Sequence, residues 1–215
     1  MVDISKSLNS KRFLLTYLII IGFLLVIWVN QLPLMREDNR AIPPEMLEYL
    51  ESPPRVISAI SLGSNEGQVL TNEWFEHKWS FVYFSHGNCL PLCRPALETM
   101  KLIQSSFLNN DFQFLVIGLD GDNETAENLT AFLASQQFNF DVASTSSAKV
   151  EDIARAFVAL FLKTDLSDGR YLIEQEHHIF VLDPKGRIYA TFTPPFGANI
   201  LEEFLKVRYF YARTE

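Results

Sequence analysis

The sequence predicts an α/β domain, a central sheet covered by helices on both faces, preceded by one N-terminal transmembrane helix. Three observations carry this reading. Residues 13–30 are apolar almost throughout and hold no charge, which suits a helix crossing the hydrocarbon layer, a task for about 20 residues. From Ser80 onward, continuous apolar runs of strand length alternate with stretches whose apolar residues recur at helical spacing. The chain then closes with two apolar runs joined by the turn Asp183-Pro-Lys-Gly186, followed by an amphipathic stretch from Asn199 to Tyr211.

The 215 residues are 48% hydrophobic, which fits one compact domain with an appendage and argues against disorder. Residues 1–12 carry Lys6, Lys11 and Arg12 against a single Asp3, so the positive-inside rule leaves them in the cytoplasm and sends the rest of the chain outside. No Ala-x-Ala-like exit occurs in Asn30-Gln-Leu-Pro-Leu-Met35, and an uncleaved anchor over 13–30 is expected. The N-terminus is not Arg- and Ser-rich like an organelle presequence. The expected address is therefore the bacterial inner membrane, single-pass, with the domain in the periplasm. Of the 18 basic and 26 acidic residues, the N-terminus takes three and one, leaving 15 against 25 in residues 31–215. A domain of net charge −10 has no footprint for nucleic acid and is repelled by anionic lipid. A cation or a basic protein suits it.

Residues 31–54 contain Pro33, Pro43, Pro44, Pro53 and Pro54 among charged residues, a spacer that cannot be one continuous helix. The folded domain is expected over 55–215. It opens with a hairpin of Val56 to Leu62 and Gln68 to Leu70, then a short helix capped by Thr71 through Trp74 and His77. Ser80 to Ser85 reads as a buried strand, and Leu97, Met100, Ile103 and Phe107 mark the inner face of the next helix. Phe112 to Leu119 is a central strand. A helix over about 124–136 follows, capped by Asn123, with Leu129, Phe132 and Leu133 inward. Phe138 to Val142 is a short strand, and a helix starts at Ser146 or Ser147 and runs through Ile153, Phe157 and Leu160. Tyr171 to Ile173, His178 to Leu182 and Arg187 to Phe192 are strands, and Asn199 to Tyr211 is the last helix.

The chemistry concentrates in Phe81-Val-Tyr-Phe-Ser-His-Gly-Asn-Cys-Leu-Pro-Leu-Cys-Arg-Pro95, where a strand gives way to a helix and where both cysteines of the chain stand. Cys89 and Cys93 are four apart, so on a first helical turn their sulfurs share a face, close enough to hold a metal or close a disulfide. A helix N-terminus stabilises thiolate, the form that ligates metals and attacks disulfides. A purely structural disulfide is the plain alternative in an oxidising compartment. So short a closed loop gains little from it, which favours a working pair. No Gly-rich phosphate loop, Ser-His-Asp order or Thr-x-x-Cys peroxiredoxin setting is present. Asp120, Asp122 and Glu124 alternate like metal ligands but lack the rest of a calcium loop, and read as a solvated loop.

The anchor, the approach ending Ser52-Pro-Pro-Arg55, the strand-Cys-x-x-x-Cys-helix unit, Leu119-Asp-Gly-Asp-Asn-Glu-Thr125 and Tyr171-Leu-Ile-Glu-Gln-Glu-His-His-Ile-Phe-Val-Leu-Asp-Pro-Lys-Gly186 together cover the chain. In them it resembles the Sco (synthesis of cytochrome c oxidase) family, also called SenC. The resemblance implies a thioredoxin-like fold with an N-terminal hairpin and inserted elements, copper held by two cysteines and a distant histidine, and a part in assembling the copper centre of cytochrome oxidase. Cys89 and Cys93 then serve as redox pair and as metal ligands. The implied partner is a cytochrome c oxidase subunit or another copper or thiol protein. In the family pattern the histidine stands nine residues before the Pro of Asp-Pro-x-Gly, and the same count here lands on Gln175. His177, two places on, is the candidate displaced ligand, and His86 in the cysteine loop is a second. In a strand, Gln175 and His177 would share a face about 7 Å apart, with His178 on the other. Beside copper delivery, two functions stay open: thiol-disulfide exchange without copper, and a sensor or scaffold with a degenerate site.

Overall fold

The computed structural model describes residues 4–31, 41–107 and 110–215, with side chains of the N-terminal helix described over 14–28. The chain divides into two compact units, Met1–Ala41 with Arg213–Glu215, and Ile42–Ala212. In the first, α1 runs from Ile4 to Gln31, and its large apolar side chains between Leu14 and Trp28 are exposed. Among the described residues no helix is long and apolar enough to cross a membrane. The side chains of Lys6, Lys11 and Arg12, on which the expected orientation rests, lie outside the described residues, as do residues 32–40 of the predicted spacer.

The second unit contains β1 (Leu50–Val56), β2 (Leu62–Ser64), β3 (Val69–Leu70), β4 (Trp79–Ser85), α2 (Arg94–Ser106), β5 (Phe112–Gly118), α3 (Ala126–Ser135), β6 (Asp141–Ser144), α4 (Ser147–Phe157), β7 (Phe161–Asp165), β8 (Tyr171–Gln175), β9 (Ile179–Leu182), β10 (Arg187–Phe192) and α5 (Ile200–Thr214). Eight strands form one sheet in the order β1-β10-β9-β4-β5-β6-β2-β3, and β7 with β8 makes a separate two-stranded sheet. The centre is parallel, β4 beside β5 and β5 beside β6, while β9 and β10 run on antiparallel to their neighbours. All seven residues of β4 are buried, which is why this strand reads as an unbroken apolar run rather than an alternation.

Alternate residues of the central strands feed two cores. Trp79, Phe81 and Tyr83 face the side covered by α2, α3 and α5. Val82 and Phe84 face α4 and the 3-10 turn Asn72–Phe75. Helices thus cover both faces, as the sequence predicts. Phe204 of α5 is the hub of the first core, with ring centroids 4.8 Å from Phe81, 5.5 Å from Phe107 and 5.6 Å from Trp79.

The departures from the sequence reading have local causes. Pro53 and Pro54, read as spacer, lie inside β1, which occupies the sheet edge where a missing N–H costs no ladder bond. The expected hairpin is shorter, β2 with β3, and the expected helix after Thr71 is a 3-10 turn without a side-chain cap. Thr125, not Asn123, caps α3, its hydroxyl accepting the Asn128 N–H. The strand expected over Phe138 to Val142 begins only at Asp141. The helix expected to reach Leu160 stops at Val158, which adopts φ 58°. Strand β7 has no counterpart in the sequence reading.

Gly121 sets the close approach of the loop after β5 to that after β6. A Cβ there would lie 1.5 Å from the Thr145 carbonyl oxygen, so backbone must move. Gly121→Ala is expected to cost about 2–3 kcal/mol, seen as a lower urea midpoint at unchanged slope.

Candidate functional site

Strand β4 ends at Ser85 and hands the chain to a tight turn that leads into α2. Cys89 N–H donates to the His86 carbonyl at 3.1 Å, Cys93 N–H to the Cys89 carbonyl at 3.2 Å and Leu97 N–H to the Cys93 carbonyl at 3.1 Å. The cysteines therefore occupy successive turns on one side of the helix entrance, as their spacing predicts. They are joined as a disulfide with Cα atoms 5.5 Å apart. Cys89 is 5% exposed and Cys93 fully buried. Ser85 Oγ sits 3.2 Å from Cys89 Sγ. Beside them, Leu92 at 72% exposure is the loop's apolar tip.

His177 does not lie on a strand: β8 ends at Gln175 and residues 176–178 are irregular. The expected two-residue periodicity is thus absent, yet both side chains converge on one atom. The Tyr83 hydroxyl is 2.7 Å from His177 Nδ1 and 3.3 Å from Gln175 Nε2. Tyr83 and Ser85 are two apart on β4 and so share a face, which puts His177 on the disulfide's side of the sheet. Burial pushes the Tyr83 hydroxyl far up, and burial followed by the neighbouring His178 holds His177 below the usual histidine value. A neutral ring accepts the Tyr83 proton at Nδ1, leaving the phenol oxygen to accept from Gln175. The Gln175 amide also donates to the Phe84 carbonyl at 2.6 Å, while its Oε1 is buried without a partner.

The His86 ring is buried, and burial, opposed by the Asp120 charge, lowers its pKa. His178 turns away to Glu176 Oε2 at 3.6 Å.

Asp120, read as part of a solvated loop, is 5% exposed. It accepts from Lys163 Nζ at 2.8 Å, from Asn123 Nδ2 at 2.8 Å and from the Tyr171 hydroxyl. Lys163 in turn lies 4.1 Å from the Tyr171 ring centroid. Burial raises the Asp120 carboxyl, but the bonds from Lys163, Tyr171 and Asn123 outweigh it and hold the group below its ordinary value. Glu124 accepts the Gly87 N–H at 3.0 Å, and burial pushes its carboxyl up. The loop after β5 thus clamps the cysteine turn on one side and the β7–β8 hairpin, bearer of Gln175, on the other.

No three His, Cys, Asp or Glu side chains converge as a metal site among the described residues. The donor types nevertheless suit a soft metal once the disulfide is reduced: two thiolates, with His177, on the same side of the sheet, as the donor that would have to move toward them. Ligation through its Nε2 would call for the tautomer whose Nδ1–H donates to Tyr83, with that hydroxyl as outer support. Gln175 offers a hard amide oxygen and fits such a metal poorly. Ser85, Tyr83 and the Asp120 clamp escape a reading by motif, because each acts through partners distant in sequence.

A family model described as SCO1/SenC matches residues 50–206. Protein sco1 of Schizosaccharomyces pombe is 23% identical over 160 residues, which cover 71% of this chain and 59% of that relative's length. The structure of Bradyrhizobium japonicum ScoI with copper bound superposes with a TM-score of 0.62 at 16% identity, covering 72% of this chain and 99% of that one. The thioredoxin domain of a thiol-disulfide oxidoreductase from Bacteroides vulgatus gives 0.53 at 16% identity, over 71% and 96%. The fold is thioredoxin-like.

Proposed function

The chain belongs to the SCO1/SenC family, and from that premise we propose that it assists cytochrome c oxidase assembly from the bacterial inner membrane, switching Cys89 and Cys93 between disulfide and dithiol against the thiols of a copper-binding partner. The observation that carries this reading is the pair itself, closed at the entrance of α2 with the Ser85 hydroxyl on one sulfur. A partner thiolate attacks Cys89 Sγ, the more exposed sulfur. The S–S bond breaks and its electron pair stays on Cys93 Sγ, where the helix N-terminus favours a thiolate. The partner's second thiol, giving up its proton, then attacks the mixed disulfide and expels Cys89 as thiolate. The partner is oxidised by two electrons and the pair is reduced by two; the reverse sequence reduces a partner disulfide.

Copper is cargo in this scheme. Two thiolates suit Cu(I), the B. japonicum relative carries copper, and His177 is the third ligand we assign. Gln175→His supplies an imidazole at the family position, and Cu(I) affinity of the reduced protein is expected to rise about 10- to 100-fold, measured by competition with a chromogenic chelator. An unchanged affinity would mean that His177 already fills the place.

The direct test of the redox function uses the full chain in nanodiscs with excess of a synthetic peptide bearing two cysteines. The proposal requires peptide disulfide to appear as the Cys89–Cys93 bond is lost, read by mass. A bond that survives the excess dithiol sinks it. Anchoring through residues 13–30, N-terminus inside, is supported by the uncharged run and the flanking Lys6, Lys11 and Arg12. A reporter active only in the periplasm, fused after Glu215, should be active.

A further inference from the structure

Strands β7 and β8 form a sheet of two, so each has an edge that no other strand of the chain covers. The bonding phase of β7 follows from its flanks. Leu166 N–H donates to the Arg170 carbonyl at 2.7 Å and Glu176 N–H to the Leu160 carbonyl at 3.0 Å, in step with the pairs Leu162–Glu174 and Thr164–Leu172. Leu162 and Thr164 therefore bond to β8, while Phe161, Lys163 and Asp165 turn their N–H and C=O groups the other way. On β8 the matching residues include Ile173, which is buried, and Gln175, whose amide is bonded to Phe84. Beyond Phe161, β7 is exposed throughout.

Apolar surface gathers beside this edge. Val158, Leu160, Leu162, Leu166 and Leu172 are 40–61% exposed. A groove of about 490 Å³ runs between the last turns of α4 and β7, lined by Ala154, Arg155, Val158, Leu160 and Leu162 among others. An open edge beside apolar side chains is a template for another strand.

The sequence of β7 says which strand. About Thr164, the segment Leu162-Lys-Thr-Asp-Leu166 is complementary to its own reverse. A second copy laid antiparallel on a two-fold axis through Thr164 sets Lys163 against the copy's Asp165 and Leu162 against the copy's Leu166, each pair occurring twice. Lys163 and Asp165 both face the edge, so this register also aligns the free donors and acceptors. Within its own chain Asp165 makes no ion pair among the described residues, and the Lys163 side chain, although bound to Asp120, is 30% exposed. Other centres match less well. An axis at Lys163 opposes two ammonium groups, and one at Leu162 leaves both charges without a match.

We propose that two copies of this chain pair antiparallel through β7, about a two-fold axis at Thr164, in a four-stranded sheet β8-β7-β7-β8. The contact is closed: it uses the free edge of both copies and stops at two. The copy's Leu166 comes to the groove beside Leu162 and covers part of its apolar wall. Each β8 holds Gln175 against Tyr83, so one ladder joins two cysteine sites. The pairing does not depend on what Cys89 and Cys93 do.

The test uses the full chain in detergent micelles with both native cysteines replaced by serine. At the two-fold centre, a non-bonded pair has Cα atoms about 4.5 Å apart, within the range a disulfide spans. Thr164→Cys should therefore form an intermolecular disulfide on mild oxidation at least about tenfold faster than Leu162→Cys, whose mate lies about 14 Å away. Adding Asp165→Lys to the first variant puts like charges opposite each other twice and should slow the reaction about tenfold. Light scattering of the cysteine-free chain over a dilution series should pass from the mass of two copies to that of one. Faster pairing at Leu162 than at Thr164, the mass of one copy at every concentration, masses above two, or indifference to Asp165→Lys each overturn the assignment. Failure of the native chain to exchange disulfides would leave all these readings unchanged, so the two proposals fall separately.

Discussion

Cys93→Ser should trap the protein on its partner. Offered the partner as its disulfide, the Cys89 thiolate attacks one partner sulfur and expels the other as thiolate; with Cys93 gone no thiol remains to attack Cys89 Sγ and release the reduced partner, so a covalent complex accumulates that survives denaturing electrophoresis and disappears on reduction. Turnover of a dithiol peptide should fall at least about 1000-fold, the scale on which loss of an attacking or leaving group is felt. Cys89→Ser should lose turnover equally without accumulating the complex, because Cys93 is fully buried and Cys89 is the sulfur the partner reaches. A complex trapped by Cys89→Ser instead would reverse the assigned order of attack.

Asp120→Ala carries the next largest effect. It strands Lys163, whose side chain is 30% exposed, and removes the acceptor of Tyr171 and Asn123. Breaking a mostly buried charge pair in this way costs about 3 kcal/mol. The loss should be visible as faster amide exchange across β7 and β8 before the central sheet is affected. Because the folded Asp120 carboxyl lies below its ordinary value, its contribution is fully present above an unfolded pKa of about 3.9 and is lost as pH falls through the folded value. Glu124, pushed up by burial, works in the opposite sense on that limb. Urea midpoints between pH 6 and 3 should therefore fall in the wild type and fall less in Asp120→Asn.

What a sequence discloses depends on where the relevant partners stand. Strand β4 and the face Leu97, Met100 and Ile103 of α2 were legible because burial imposes a local period on the residues themselves. Strand β7 was not: apart from half-buried Phe161, its residues Leu162 to Asp165 are exposed, so no apolar face announces it. Strand β1 was hidden by its two prolines, which mark an edge as well as a spacer. At the site, Cys89 and Cys93 could be paired by spacing alone, and Gln175 was found by counting back from a turn. The meeting of His177 with Tyr83 joins residues 94 apart, and the partners Lys163 and Tyr171 of Asp120 lie 43 and 51 residues on. Nothing periodic connects such pairs. They are decided by which loops the sheet order brings to one rim.

Both margins of the eight-stranded sheet are poor templates for a further strand. Pro53 and Pro54 deny β1 two donors and its register slips between Leu50 and Arg55, while β3 at the other margin is two residues long. Copies of a chain with open sheet edges meet as potential templates for one another. Blunted margins let copies collide without adding strands to this sheet, so crowding does not convert into aggregation.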